Sequence, residues 1–502
     1  MLKKLALTLS ATAVMLSPLA TQKADAATSV SYSSPVKVQI YNNTSFTLYN
    51  SGFYVLHNLQ TGEKAFLQPN ANVSFSKSGT SLVATLNNIK FSSTTGFRLQ
   101  ELVGGGQIHS FSSDTNIYKS ASTASTLATT AKKGEVVEHI GVHTAANGDK
   151  WFNVRTGSGI IGWASRSSTY EPVSAPSLSL ATINGRKYRG SIEIDATGKV
   201  INNLDMENYL KGVVPNEMPA SWEPKALEAQ AIVARSFALK AGSTLSSGTM
   251  SQVYRGYSSE ASRSSAAVEA TNGLVVKYNG VPVQTFFFST SGGRTANVSD
   301  VWNSSQSSFP YLVSVNSPDE ASPYNSWTEA LSARKILNNF GYKSDTVLYD
   351  IKLDKPGQNG EVRGATLVTS EGTKSFSNLN ELAIRKYFQT DSNLLRSNWF
   401  DLTLQKTYNV QTASGVNSQF GVSGQSVQLS GKTDSVTTSN VSIQTASGVI
   451  SKPSDPATIK AIGKGWGHRI GMSQYGAQAM AKKGVSGVDI VKHYFPGTTV
   501  SK

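Results

Sequence analysis

The stretch "SWEPKALEAQAIVARSFALKAG" (221–242) constrains the fold more than any other. Leu227, Ala231, Ala234 and Ala238 recur at helical spacing and share one face. Three of these four are alanines, so a neighbouring element can approach the helix closely. Ser221 is expected to cap the helix, Pro224 suits its first turn and Gly242 its end. Gln230 lies beside the small-residue stripe, where a half-buried amide must find partners or cost stability. Arg235, on the same helix, is expected to brace its neighbours through carboxylate or carbonyl contacts. Around this helix the chain reads mostly as short strands, so the expected class is α+β.

The 502 residues are too many for one hydrophobic core, and a multidomain chain is expected. Residues 1–26 read as an export signal: Lys3 and Lys4, an apolar middle broken by Pro18, and "ADA" before Ala27. A secreted product follows as an expectation. Residues 35–110 show period-two apolar spacing between Asn, Gly and Ser turns, a β-rich region without an evident site. Residues 115–168 repeat short strands at regular spacing, as in a small barrel. A mixed α/β domain is expected over 178–502. Within it Asp205 can cap a short helix that stops before Pro215, Asn279-Gly280 marks a hairpin whose second strand runs to Phe288, and Ser473 can cap a C-terminal helix.

The chain has no cysteine, so an exported product must rely on core burial, and thiolate chemistry is excluded. The formal net charge is +14, of which Lys3, Lys4, Lys23 and Asp25 account for two. Basic secreted proteins meet anionic partners such as cell-wall polymers. The positive residues are dispersed, which speaks against a dedicated nucleic-acid surface. Six histidines include no H-E-x-x-H pair, and no carboxylate-dense loop resembles a calcium site, so neither metal nor cofactor is expected. Ser289 or Ser291 with His468 would make a serine nucleophile, but "STSGG" lacks the G-x-S-x-G elbow.

That leaves Glu217 in "VVPNEMPASW" (213–222). Val213, Val214, Met218 and Trp222 would desolvate its carboxyl group and raise its pKa, as a general acid requires near neutral pH. No second acid accompanies it in that motif.

Two resemblances sharpen these readings. The spacing of Tyr118, Gly134, Trp151, Gly162 and Trp163 resembles bacterial SH3-like domains, which commonly bind cell wall. The segments "NYLKGVVPNEMPASWEPKALEAQAIVARSFAL", "TNGLVVKYNGVPVQTFFFSTSGGRTANVSDVW" and "GKGWGHRIGMSQYGAQAMAKKG" occur in this order and closely resemble the SpoIID/LytB family. The resemblance implies a peptidoglycan-active protein that is secreted and wall-associated. In the sporulation member, a lytic transglycosylase, the glutamate of the E-M-P motif is the acid/base, and it matches Glu217. Other members enhance or modify wall amidases, so a non-catalytic partner of an amidase is the alternative. Ser289, Ser291 and Gly292 are then candidates for binding sugar hydroxyls or acetamides. Trp466, His468, Ser473, Gln474 and Tyr475 are candidates for the opposite wall of the cleft. Some members hold zinc with a cysteine near "Q-V-Y", where this chain has Ser251. Where the family often reads G-H-G, this chain has Gly467-His468-Arg469, and the arginine is expected to narrow the cleft or meet an anionic substrate.

Overall fold

In a computed structural model the described residues run from 34 to 502. Outside them lie 104–105, 166–169, 175, 413–414, 422–425, 430–431, 436–439, 446–447 and 454–455, and side chains are described outside 406–457. The leader, part of the 168–177 linker and part of the repeated "QTASGV" lie outside the described residues.

The β-rich N-terminal region shares its sheets with the region after residue 178. Val36–Asn42 pairs antiparallel with Lys199–Leu204, and Gly96–Glu101 pairs with Ser191–Asp195. Phe46–Asn50 pairs with Ala181–Ile183 in a second sheet. Inward residues of both sheets, among them Val38, Leu48, Phe97, Ile192 and Val200, join one core with the helices that follow. The boundary expected at 178 therefore crosses hydrogen-bonded strands and a continuous core. A Pro- and Ser-containing stretch looks like a linker in sequence, while strand partners 93 to 168 residues apart leave no local signal.

Residues 108–172 form an insertion within that arrangement. Its seven described strands lie in one antiparallel sheet. Among the described residues the outer strands, Leu127–Ala131 and Tyr170–Pro172, each have one neighbour, so the ladder of the expected barrel is not seen to close on itself. Phe111, Ile117, Val137, Val154 and Ala164 give it a small core of its own.

The 224–241 helix is the centre of the main core. Ala226, Leu227, Ala229, Ala231, Ile232, Val233 and Ala234 are all fully buried. Pro224 occupies its first turn and Gly242 closes it in the left-handed conformation, φ 61°. Glu223, not Ser221, is the N-cap residue, and no side chain caps it. The turn Pro219–Trp222, closed by the Trp222 N–H on the Pro219 carbonyl, leaves Ser221 exposed before the helix starts.

A second core occupies 327–461, including Trp327, Ile336, Leu337, Leu367, Ile384, Phe388 and Phe400. Its neck is a pair of antiparallel strands, Ser326–Leu331 against Pro456–Lys464, so the chain enters and leaves side by side. The expected 178–502 domain thus carries an inserted lobe. No helix among the described residues is long and apolar enough to cross a membrane.

Candidate functional site

Two prolines shape the turn that carries Glu217. Met206–Lys211 forms a first helix, with Asp205 accepting from the Asn208 N–H as its cap. The chain then makes one further helical turn, Val214–Glu217, with Pro215 inside it rather than after it. Proline lacks an N–H but costs nothing in a first turn. Met218 precedes Pro219, which disfavours helical backbone there, and Met218 is extended at φ −125°, ψ 141°. Glu217 is therefore the last residue of a turn that cannot continue. Asn216 fixes the turn from outside, donating to the Gly212 carbonyl at 2.7 Å and the Ser259 hydroxyl at 2.8 Å.

Val213, Val214 and Met218 are buried beside it. This burial pushes the Glu217 carboxyl up to about 7; the Val253 N–H and the Gln474 side chain, which bond it, pull in the other direction. The Val253 bond is 2.6 Å long. Its loop is anchored by the preceding residue: the Tyr209 hydroxyl donates to Gln252 at 2.8 Å, and Gln252 donates to the Ala234 carbonyl at 3.3 Å. Gln252 and Val253 were silent in sequence because one acts through its backbone and the other through a buried amide. The groups acting on Glu217 include no other carboxylate.

The two glycine-rich motifs meet beside this carboxyl. Phe287–Phe288 pairs in parallel with Met472–Ser473, and Thr290 bridges Trp466. The expected hairpin is consequently shorter. Asn279 and Gly280 turn at φ 50° and 79°, but its second strand is Val281–Pro282. Beyond it Thr285 donates to the Val233 carbonyl at 2.7 Å and the chain leaves for its parallel partner.

Ser473 caps the Gln474–Lys482 helix through the Gly476 N–H. Gln474 reaches Glu217, and its amide nitrogen lies 3.5 Å from the Gln230 oxygen. Tyr475 packs edge-on against Trp222 with centroids 4.9 Å apart, and its N–H donates to the Ser289 carbonyl. Glu217, Gln474, Gln230, Tyr475 and Trp222 thus form one cluster, with Ser289 and Ser473 at its edge. Trp466 stands further along the second motif, 37 % exposed, edge-on to Tyr324 at 4.3 Å and beside Arg396.

Several other candidates are built into the framework. Ser291 is buried; its hydroxyl accepts from Gly293 N–H at 3.0 Å. Gly292 sits at φ 78°, where a Cβ would fall 2.6 Å from the Lys464 Cβ, so its role is to let two backbones approach. His468 accepts the Ile470 N–H at Nδ1 and bonds the Phe287 carbonyl, against Phe286, Phe288 and Trp302. Burial, with Arg385 nearby, lowers its pKa to about 4. A neutral ring engaged at both nitrogens is not placed to activate Ser289 or Ser291. Arg235 is fully buried and holds Glu207 through two hydrogen bonds, 2.9 and 2.6 Å long, besides the carbonyls of Leu274 and Val268.

Arg469 is buried, contrary to the expected role in the cleft. Its guanidinium binds the Ser291 and Arg294 carbonyls, pairs with buried Glu361 at 3.0 Å and lies 4.0 Å above the Trp399 ring. It fastens the first glycine-rich loop to the inserted lobe. Nor do the residues near 251 fit zinc: the Ser251 hydroxyl accepts the Ser246 N–H, and the described residues include no cluster of three histidine, aspartate or glutamate side chains suited to a metal.

Residues 195–278, from the end of the Ser191–Asp195 strand to the hairpin turn, match the family model described as "SpoIID: Stage II sporulation protein". The amidase enhancer of Bacillus subtilis (strain 168) is 34 % identical over 303 residues, which are 58 % of this chain and 40 % of that relative. The chain therefore spans less than half of that protein. The stage II sporulation protein D of Bacillus subtilis (strain 168) is 28 % identical over 60 % of this chain and 76 % of its own length. Its counterpart in Bacillus amyloliquefaciens is 30 % identical with the same coverage. These matches, together with the site built from the three motifs, place the chain in the SpoIID/LytB family.

Proposed function

We propose that this chain is a secreted, wall-associated protein that cleaves peptidoglycan glycan strands as a lytic transglycosylase, with Glu217 as its acid/base. The observation that carries the reading is a desolvated carboxyl, pushed up to about 7 by burial, held by the Val253 N–H and acted on by no second acid. Hydrolases that retain or invert generally need two carboxyl groups. A transglycosylase needs one. Protonated Glu217 gives its proton to the glycosidic oxygen that leaves N-acetylmuramic acid. The resulting carboxylate takes the proton from the same sugar's carbon-6 hydroxyl, whose oxygen closes on carbon 1. The product is a 1,6-anhydro end, no water is consumed, and Glu217 returns to its protonated form. Because the nucleophile belongs to the substrate, proximity lowers the barrier. Tyr475 and Trp222 supply an aromatic wall suited to sugar faces.

The identity with an amidase enhancer favours a second reading, in which the same cleft holds wall polymer for a separate amidase without cutting it. Incubating purified glycan strands with the wild type and with Glu217→Gln separates the two. Anhydro-muropeptides from the wild type alone support cleavage. Their absence on every form of glycan, combined with stimulation of an amidase that survives Glu217→Gln, supports the second reading.

A further inference from the structure

Gln474 makes a contact that its expected place on a substrate-binding wall does not explain. Its side chain draws the Glu217 carboxyl downward against the effect of burial, and its amide nitrogen lies 3.5 Å from the Gln230 oxygen. Gln230 is fully buried in the middle of the long helix, and its own amide nitrogen has no partner. An unsatisfied buried donor is costly, and a leucine at 230 would avoid that cost. What the glutamine contributes is an acceptor aimed at Gln474.

The other side of Gln474 is fixed by a carboxylate that sequence reasoning missed. Asp319 is fully buried at the neck of the inserted lobe. It accepts the Ser291 N–H, the Gly293 N–H at 3.0 Å and the Ser473 hydroxyl at 3.0 Å. Ser473 in turn caps the helix at the Gly476 N–H, 3.2 Å away. The residue between cap and helix body is Gln474. One carboxylate thus fixes both the first glycine-rich loop and the start of the helix that presents the amide.

We propose that Gln474 is the positioning residue of Glu217, held from one side by Gln230 and from the other by Asp319 through Ser473. The proposal rests on the reading of Glu217 as the acid/base. In its absence the carboxyl would keep its apolar walls and the Val253 N–H but lose the polar side chain that opposes their effect. Among described titratable groups, Tyr209 is also coupled to Glu217, and its hydroxyl is already committed to Gln252.

The test is a direct titration. Protein labelled with carbon-13 at glutamate side-chain carboxyls is followed by NMR, with the Glu217 signal identified by its loss in Glu217→Gln. Gln474→Leu is expected to raise the Glu217 midpoint by about one unit, the worth of one hydrogen bond to a charged group. Gln474→Asn, which withdraws the amide but keeps it polar, moves it the same way. Asp319→Asn and Ser473→Ala produce smaller shifts in that direction. Gln230→Leu shifts the midpoint upward while leaving thermal stability equal or higher, a pairing that a merely structural role would not give. Gln478→Leu, one turn further on and bonded to the Glu223 N–H, leaves the midpoint unchanged. The proposal is overturned if folded Gln474→Leu or Gln474→Asn titrates like the wild type, or if Gln478→Leu shifts as far. Failure of the wild type to release anhydro ends overturns the transglycosylase reading instead and leaves the titration interpretable.

Discussion

At the scale of single residues, the carboxyl of Glu217 has a consequence for stability apart from any reaction. Its folded pKa of about 7 lies above the ordinary value of 4.5. The folded state therefore binds the proton more tightly between these values. The resulting stabilisation is full below about pH 4.5 and is lost as pH rises through 7. Glu217→Gln is neutral at all pH and is expected to exceed the wild type in stability at pH 8, by up to about 3 kcal/mol. That advantage shrinks towards pH 5. Urea denaturation of both proteins across that range checks it. Arg469 gives the opposite case. Arg469→Leu leaves Glu361 buried without its cation, and a loss of about 3–5 kcal/mol is expected from the same measurement. Glu217 was legible in sequence because prolines and large apolar neighbours sit next to it. Arg469 was not, because Glu361 lies 108 residues nearer the N-terminus and Trp399 70, and neither gives a local pattern.

At the scale of elements, what could be read was what is encoded locally. Asp205 and Ser473 cap helices through their own side chains, and Gly242 ends one in the left-handed region. The errors came where a distant partner decides. Val281–Phe288 is uniformly strand-like, yet the second glycine-rich motif captures its end and splits the strand. The junction of these motifs depends on backbones approaching at Gly292 and Gly465, where added Cβ atoms would lie 2.6 and 2.7 Å from neighbours. Gly292→Ala combines that clash with an unfavourable positive φ and is expected to cost about 2–3 kcal/mol. It should also weaken glycan binding in the Glu217→Gln background, since Ser289 and Tyr475 share the junction. Calorimetry with soluble glycan fragments reads both effects separately: a lower melting temperature and a weaker association constant. Unchanged stability would mean that Lys464 and Gly465 can yield without cost.

At the scale of the whole molecule, the main core, the small sheet and the inserted lobe each have apolar packing of their own. The small sheet of 108–172 touches the main body through Phe53, Val55, Phe66, Leu102 and Ile108, and Gln68 donates to the Val136 carbonyl. Its own core is slight, so its amides are expected to exchange with solvent before those of the 36–99 strands. Hydrogen-exchange mass spectrometry checks this, and equal protection would mean that the two unfold as one unit. The same experiment on Arg469→Leu should show the 326–464 lobe losing protection more than the long helix. The nested arrangement also bears on synthesis, which runs from the N-terminus. Val36 finds its partner only when Leu204 has been made, and the small sheet can close long before then. For that interval Val36–Asn42 lacks both of its strand partners, and the sheets that Phe46–Glu101 can already form keep an unpaired edge. A cell making this chain has to keep its beginning from aggregating until its middle arrives, so the rate of translation across 108–204 should govern how much of the product is recovered in soluble form.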